Sequence, residues 1–404
     1  MVTPLGVYIS VPFCKAKCTF CNFASDVHAP GRLDAYIDRL CAEISQSRAL
    51  AATRNAILPD QVDTLYFGGG TPSLLTPHHL RTIFDQLRQH FTLAPNAEIT
   101  LECAPGQLAD TTLEELLRQG MNRMSFGVQS FVDRESAAVG RLHTQQRCLD
   151  ELARVRSVGI DDVNIDLIAG LPHQTEASWR YSLQAAIATA APHVSVYMLE
   201  VDEDSRLGKE MLSHGSRYSA ATVPSEDDTA DWYQLACNTF AAARIAQYEI
   251  SNFARHGHQS RHNLKYWHRD PYLGFGLDAH SMLPTPTAAI RFANTDDLDA
   301  YLAQPSASPL QLFNSPAATP QIDHITPEAA FEESLFLGLR LNSGVNLHQL
   351  RTHFGEAMLR QTLPALHEVS EAGLLEITPD LLRLTDRGRM ASNEVFSRLL
   401  LTPA

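Results

Sequence analysis

The 404-residue chain has only four lysines and three tryptophans, and no run of about 20 apolar residues such as a membrane-spanning helix requires. The shortage of lysine leaves 32 Lys+Arg against 46 Asp+Glu, a formal net charge of −14. A chain of that balance is a poor general binder of nucleic acid, because phosphate recognition needs a positive field. The opening stretch MVTPLGVYISVPFC lacks the charged and apolar regions of a signal peptide, so a cytoplasmic location is expected. A hydrophobic fraction of 44% excludes a disordered or fibrous chain, and the length predicts two or three domains. Seven cysteines, an odd number, cannot all pair as disulfides.

Six short strands rich in Val, Ile, Tyr and Phe are predicted at Val7–Val11, Val62–Phe67, Glu98–Leu101, Arg123–Val128, Asp162–Leu167 and His193–Leu199. Amphipathic helices are predicted between them, including LDAYIDRLCAEISQS, PHHLRTIFDQLRQHF and TTLEELLRQG, the last closed by Gly120. Strand–helix alternation implies right-handed crossovers and a parallel α/β sheet, with periodicity alone not separating a barrel from an open doubly wound sheet. Either architecture places its site at the C-terminal strand ends. There the sequence carries PFCKAKC, GGGTPS, ECAPG, GVQSF and DLIAGLP. Beyond residue 200 the alternation fades. A helix is expected over Trp232–Ala246, a histidine-rich stretch follows at 256–280, and a proline-rich linker spans 304–327. The last part reads as helices, then two short strands in LLEITPDLLRLTDRG and a final helix, a winged-helix-like pattern without a basic stripe.

Cys14, Cys18 and Cys21 lie within eight residues and supply three thiolates from one loop, one fewer than a four-iron cluster can take. A structural zinc would want a fourth ligand, and His28 is the only nearby candidate. Lys15 and Lys17 flank the thiols and favour their thiolate form. Cys41, Cys103, Cys148 and Cys237 lie in apolar or helical surroundings and read as small core residues.

The CxxxCxxC spacing after the first strand resembles the signature of the radical S-adenosylmethionine superfamily. Together with YISVPFCKAKCTFCNF, YEISNFA and HNLKYW at 262–267, it resembles the HemW-type heme chaperones, relatives of the HemN-type oxygen-independent coproporphyrinogen III oxidases. The resemblance implies a partial (β/α)6 TIM-type barrel over residues 1–215, a bridging segment over 216–303, the linker 304–327 and a C-terminal HemN-like module over 328–404. It also implies a [4Fe-4S] cluster on Cys14, Cys18 and Cys21, with S-adenosylmethionine chelating the open iron. Tyr8, Phe20, Gly68, Gly69, Gly70, Thr71, Glu102, Gln129, Arg141 and Asp166 match family positions around that cofactor. Read without the family, the glycines form a tight turn and the polar residues serve as surface or capping groups. His262 in HNLKYW is the implied heme contact, with Arg255, Arg261 and Arg269 available to propionates. The plainer reading makes His262 and Asn263 hydrogen-bonded residues closing the barrel mouth, with Tyr266 and Trp267 in the core.

Four positions depart from the pattern. Ser10 stands where YxHxPFC has histidine, Cys103-Ala104 replaces Ala-Asn, and Asp278 replaces glycine in GLDAHS. Phe23 stands where the oxidases carry a further cysteine. The expected function is therefore a heme chaperone handing heme to an acceptor protein. The alternatives are the oxidase, or a radical enzyme acting on another small substrate, and whether the chain is an enzyme stays open. By analogy, peripheral association with a membrane partner is left open, although no basic amphipathic segment marks it.

Overall fold

The computed structural model describes residues 3–27, 30–203, 205–215, 217–304 and 322–400. Most of the proline-rich linker and His28 fall outside the described residues. The strands are β1 Leu5–Val11, β2 Phe13–Cys14, β3 Asp26–Val27, β4 Gln61–Gly69, β5 Thr92–Cys103, β6 Arg123–Gln129, β7 Asp162–Ala169, β8 His193–Met198, β9 Ala246–Glu249, β10 Asn252–Ala254, β11 Tyr272–Phe275, β12 His280–Pro284, β13 Ala289–Ala293 and β14 Ile322–Ile325. In the C-terminal part follow β15 Val345–Asn346, β16 Leu375–Ile377 and β17 Leu381–Leu384.

Twelve of these strands form one sheet in the order β14-β13-β12-β11-β1-β4-β5-β6-β7-β8-β10-β9. The neighbours from β11 through β1 to β8 are all parallel, and β10 returns antiparallel on β8. All six predicted strands are present and in sequence order from β1 to β8. β5 begins at Thr92, well before the expected Glu98. The sheet does not end where the alternation fades: the segment after residue 240 adds β9 and β10 at one edge and β11 to β13 at the other. Those strands are short and mostly antiparallel, so they lack the strand–helix rhythm that makes a parallel unit legible.

Along each central strand, successive side chains point to opposite faces. Val7, Ile9, Leu65, Phe67, Met124, Phe126, Val163, Ile165, Val194 and Val196 all belong to the main hydrophobic core. The alternate positions are small or polar and meet across a lumen, as in Tyr66, Glu102, Ser125, Asn164, Asp166 and Ser195. The helices outside are stopped by local chemistry. Thr76 caps Pro77–His90 with Pro77 in its first turn, and Gly120 ends Asp110–Gln119 at φ +93°.

The N-terminal end of the lumen is closed by one short helix, Arg261–His268, the ninth α-helix among the described residues and here called α9. Ser260 caps it, and the Glu98 carboxylate accepts the backbone N–H groups of Arg261 (3.0 Å) and His262 (2.9 Å). A carboxylate on the open amides of a first helical turn satisfies donors that the helix itself leaves orphaned. Lys265 Nζ donates to the Pro4 carbonyl at 2.9 Å and lies 2.7 Å from Asp63. Gly6 passes so close that a Cβ there would sit 2.7 Å from the Lys265 Cδ.

The C-terminal residues have their own core, with Phe331, Leu335, Leu339, Leu359, Leu366, Leu382 and Val395 all buried. The anticipated hairpin is β16–β17, joined by β15 in a three-stranded sheet. This unit docks on α9. Glu333, in the helix Pro327–Leu339, accepts from Arg269 Nε, at the C-cap of α9, and from Arg291 Nη2 of β13, both at 2.8 Å. The Arg340 guanidinium lies 4.4 Å from the centre of the Trp267 ring. Removing one partner of a nearly buried ion triad leaves uncompensated charge. Glu333→Ala is therefore expected to lower stability by about 2–3 kcal/mol, measured by denaturant unfolding, whereas a change confined to a surface pair such as Arg398–Glu394 should cost well under about 1 kcal/mol.

Candidate functional site

The loop after β1 brings three thiols to the C-terminal mouth of the lumen. β2 pairs with β3 in a two-residue parallel ladder that folds the loop back on itself. The Cys21 amide donates to the Cys18 carbonyl at 3.3 Å, a local turn. Thr19 N donates to Val139 O at 3.2 Å and Thr19 O accepts from Leu207 N at 2.9 Å, tying the loop to two neighbouring segments. Lys17 Nζ bonds the carbonyls of Phe23 and Ser25, and Arg206 bonds the Lys17 carbonyl. One of the two flanking lysines thus spends its charge holding the loop's shape.

All seven cysteines are free thiols. Burial pushes Cys103 and Cys148 up to about 12, and Cys41 and Cys237 up to about 11, so these four stay protonated. Burial also raises Cys14. The Thr71 hydroxyl, donating to Cys14 Sγ at 3.5 Å, opposes it, while Cys21 and Cys18 add to the rise. That mutual effect shows three thiols sharing one electrostatic site. Arg141 Nη1 donates to Cys18 Sγ at 3.5 Å, and its Nη2 is held by the Gly127 carbonyl. Among the described residues, no three His, Cys, Asp or Glu side chains close around a single ion. A cluster makes a different demand, since each thiolate can hold its own iron.

The GGGT turn at the end of β4 packs directly under this loop. Gly70 N donates to Val11 O and Thr71 N to Phe13 O, at 2.9 and 2.8 Å. A Cβ on Gly70 would lie 2.8 Å from backbone atoms of Val11 and Phe13, and Gly69 adopts φ +102°. A Cβ on Gly68 would meet the Tyr8 ring and hydroxyl at 2.9 Å. Gly68, Gly69 and Gly70 are thus needed for close approach of the turn to β1 and Tyr8. Phe20 packs against Val139, Ile168 and Leu171, forming an apolar wall beside the thiols.

Below the mouth the lumen holds two carboxylates. The Tyr66 hydroxyl donates to Glu102 Oε1 at 2.9 Å, and Asp166 accepts from Asn164 Nδ2 at 2.7 Å and Ser125 Oγ at 3.2 Å. Burial, then the charge of Asp166, pushes Glu102 up to about 7, and burial likewise raises Asp166. Gln129 sits at φ +68° with its Oε1 buried and unpartnered, and Arg141 Nε is in the same condition. Two buried polar atoms left over at the mouth, close to the thiols, fit a site built to receive a polar ligand. The residues present therefore suit a cluster with a polar molecule beside it.

The structure brings Tyr8, Phe20, Gly68, Gly69, Gly70, Thr71, Glu102, Gln129, Arg141 and Asp166 to the same end or wall of the lumen as the three cysteines. His262 lies elsewhere, on the lumen floor. Its Nδ1 is 2.9 Å from Thr64 Oγ1 and its Nε2 is 2.9 Å from the Tyr266 hydroxyl. The ring stacks under Tyr66 and Tyr8 at centroid distances of 5.2 and 6.4 Å. Burial, with Lys265 beside it, lowers its pKa to about 3, so the ring is neutral. HNLKYW closes the end of the barrel opposite the mouth expected from sequence. The other histidines do not converge: His258 faces Asp162 at 3.2 Å, and His280 lies at the upper edge of the sheet extension. Arg261 is bonded to the Asn96 carbonyl and Arg269 to Glu333.

Sequence reasoning missed Tyr66, Ser125, Asn164, His193 and Ser195, which form the lumen's hydrogen-bond network. The signal was present as polar residues two apart, Asp162, Asn164 and Asp166 in one strand. It also missed a pocket of about 360 Å³ between β1 and the sheet extension, lined by Tyr8, Ser10, Phe23, Ala24, Gly69, Tyr266, Tyr272, Leu277, Asp278 and His280. Three of the four departures from the family pattern, Ser10, Phe23 and Asp278, line this pocket.

A carboxyl whose folded pKa lies above its unfolded value stabilises the fold at low pH, and that contribution is lost as pH rises through the folded value. Glu102 thus favours the fold below about pH 4.5 and opposes it above about pH 7. Glu102→Gln, which keeps an acceptor for Tyr66, is expected to raise stability at pH 8 by up to about 2–3 kcal/mol, with solvent in the lumen reducing the figure. At pH 4 the two proteins should have nearly the same urea midpoint. A larger stability gap at pH 4 than at pH 8 would refute this assignment.

Comparison with known proteins places this geometry among relatives. Residues 8–186 match the model of the radical SAM superfamily, and residues 325–391 match that of the HemN C-terminal domain. The chain is 30% identical to the heme chaperone HemW of Bacillus subtilis, over 98% of this chain and 99% of that protein. It is 32% identical to the HemW of Mycobacterium tuberculosis, over 98% and 95%. The fold is similar to that of coproporphyrinogen III oxidase HemN from Escherichia coli, a radical SAM enzyme, with a TM-score of 0.81 over 99% of this chain and 90% of that one, at 22% identity.

Proposed function

We propose that this chain, which belongs to the HemW family within the radical SAM superfamily, is a heme chaperone that binds heme and passes it to an acceptor protein. The observation that carries the reading, beside the family, is the set of three thiols at the barrel mouth with the remaining four cysteines held as protonated thiols. Cys14, Cys18 and Cys21 would hold a [4Fe-4S] cluster with one iron open. When bound, the cluster supplies one-electron chemistry to S-adenosylmethionine, which belongs to the cofactor rather than to the chain.

The chain's own residues divide the remaining work. Gly68, Gly69, Gly70 and Thr71 offer backbone groups to the polar end of S-adenosylmethionine, and Phe20 offers an apolar wall to its adenine. Gln129 and Arg141 contribute the polar atoms left unpartnered at the mouth. Glu102 and Asp166 would accept hydrogen bonds from ribose or ammonium groups, with the Glu102 carboxyl able to hold or release a proton near pH 7. Tyr8 packs beneath Gly68 and keeps the turn at its height. The seven free thiols suit a reducing compartment, in keeping with action in the cytoplasm. Among the described residues, no helix is long and apolar enough to cross a membrane.

Phe23 is exposed beside the thiol loop where the oxidases have a further cysteine, which favours cargo handling over coproporphyrinogen decarboxylation. Anaerobically reconstituted protein with reductant, S-adenosylmethionine and coproporphyrinogen III is expected to yield no protoporphyrinogen. Its formation would assign oxidase chemistry instead. Cys18→Ser should lose most of the cluster iron and sulfide on anaerobic purification, whereas Cys148→Ser should retain the wild-type content.

A further inference from the structure

We infer that His280 is the axial ligand through which the chain holds heme iron, with Asp278 as the residue that positions its ring. The inference rests on the heme-chaperone reading and deepens it by assigning the cargo's ligand. The pocket between β1 and the sheet extension has three aromatic walls, Tyr8, Tyr266 and Tyr272, and Phe23 on the side of the thiol loop. Tyr266 and Tyr272 meet edge to face with ring centroids 4.7 Å apart. Flat apolar walls suit a flat apolar plate. At about 360 Å³ the pocket is at the small end of ligand sites. A porphyrin would enter it by one edge and keep the other at the surface, where an acceptor can reach it.

His280 stands at the start of β12 on the rim of this pocket, with a side chain 60% exposed. Its Nε2 lies 3.8 Å from Asp278 Oδ1. A histidine bound to metal through one nitrogen commonly gives its other N–H to a carboxylate, which fixes ring orientation and raises ligand basicity. At 3.8 Å the carboxylate stands beside the ring but outside hydrogen-bond distance, so a small side-chain rotation is needed to complete the pair. Asp278 holds φ +54°, the left-handed region, with its N–H bound to the Thr295 carbonyl at 2.9 Å, which fixes its backbone at the rim. Aspartate is among the few non-glycine residues that adopt this region readily, so the turn can carry a carboxylate at the pocket rim.

His262 offers the contrast. Both of its ring nitrogens are engaged, by Thr64 and Tyr266, and the ring is enclosed beneath Tyr66. To bind iron it would have to leave a satisfied buried site, whereas among the described residues no hydrogen bond occupies Nδ1 of His280.

The test is a titration of full-length protein with ferric hemin, followed at the Soret band and by electron paramagnetic resonance. Iron, sulfide and far-ultraviolet circular dichroism confirm the fold of each variant. His280→Ala is expected to weaken binding at least about tenfold and to remove the histidine-ligated spectrum, with added imidazole restoring it. Asp278→Asn should weaken binding about 10–100-fold and shift the spectrum without abolishing ligation. His262→Gln, which retains hydrogen-bonding atoms on the floor, should keep the wild-type spectrum. Unchanged affinity and spectrum in His280→Ala overturn the inference while leaving the chaperone reading intact. Loss of ligation in a folded His262→Gln with His280→Ala unaffected overturns it in favour of the floor histidine. A wild-type protein that binds no hemin at all removes the chaperone reading and this inference together.

Discussion

Glu98 seats two backbone amides of α9 on one carboxylate, and the rest of the structure depends on that seat. A lumen lined with polar side chains cannot be left open at both ends without flooding its network, nor closed with bare apolar atoms without stranding it. The helix solves both demands at once. Its first turn satisfies Glu98, His262 caps Thr64, and Lys265 neutralises Asp63 below the start of β1. With the floor sealed, the polar groups higher in the lumen can face a cofactor while solvent enters from one side.

The parallel core was legible because its chemistry is repetitive. Each strand is short, each is followed by a polar or glycine-rich word at its C-terminal end, and the three closely spaced cysteines fall in the first of these. What the sequence concealed was which face of each strand mattered. Asp162, Asn164 and Asp166 alternate with Val163 and Ile165, yet the runs read as apolar because helix-facing residues dominate them. Thr64, Ser125 and Ser195 carry too little character on their own to announce a network; only the closure of the sheet makes them neighbours.

The histidine segment shows a different limit. Five histidines in 25 residues suggest a single metal- or heme-binding patch, but the chain passes through a helix and a strand in that interval and points them to separate places. The densest motif, HNLKYW, is occupied by structural work: a neutral buried histidine, a buried lysine, and a tryptophan under an arginine. The less conspicuous GLDAHS places its histidine on a pocket rim. Density along the sequence is a poor guide to proximity where the backbone changes direction every few residues.

Helix α9 has one further property, set by its length. Its first turn bears His262 in the lumen and its C-cap, Arg269, is gripped by Glu333 of the C-terminal unit. Eight residues make a rigid rod of little more than two turns, too short to bend and absorb a displacement between its ends. The lumen floor and the C-terminal unit are therefore attached to one lever. Any free energy that shifts the unit against the barrel is felt beneath Tyr66, and by thermodynamic reciprocity whatever fills the lumen bears equally on the unit.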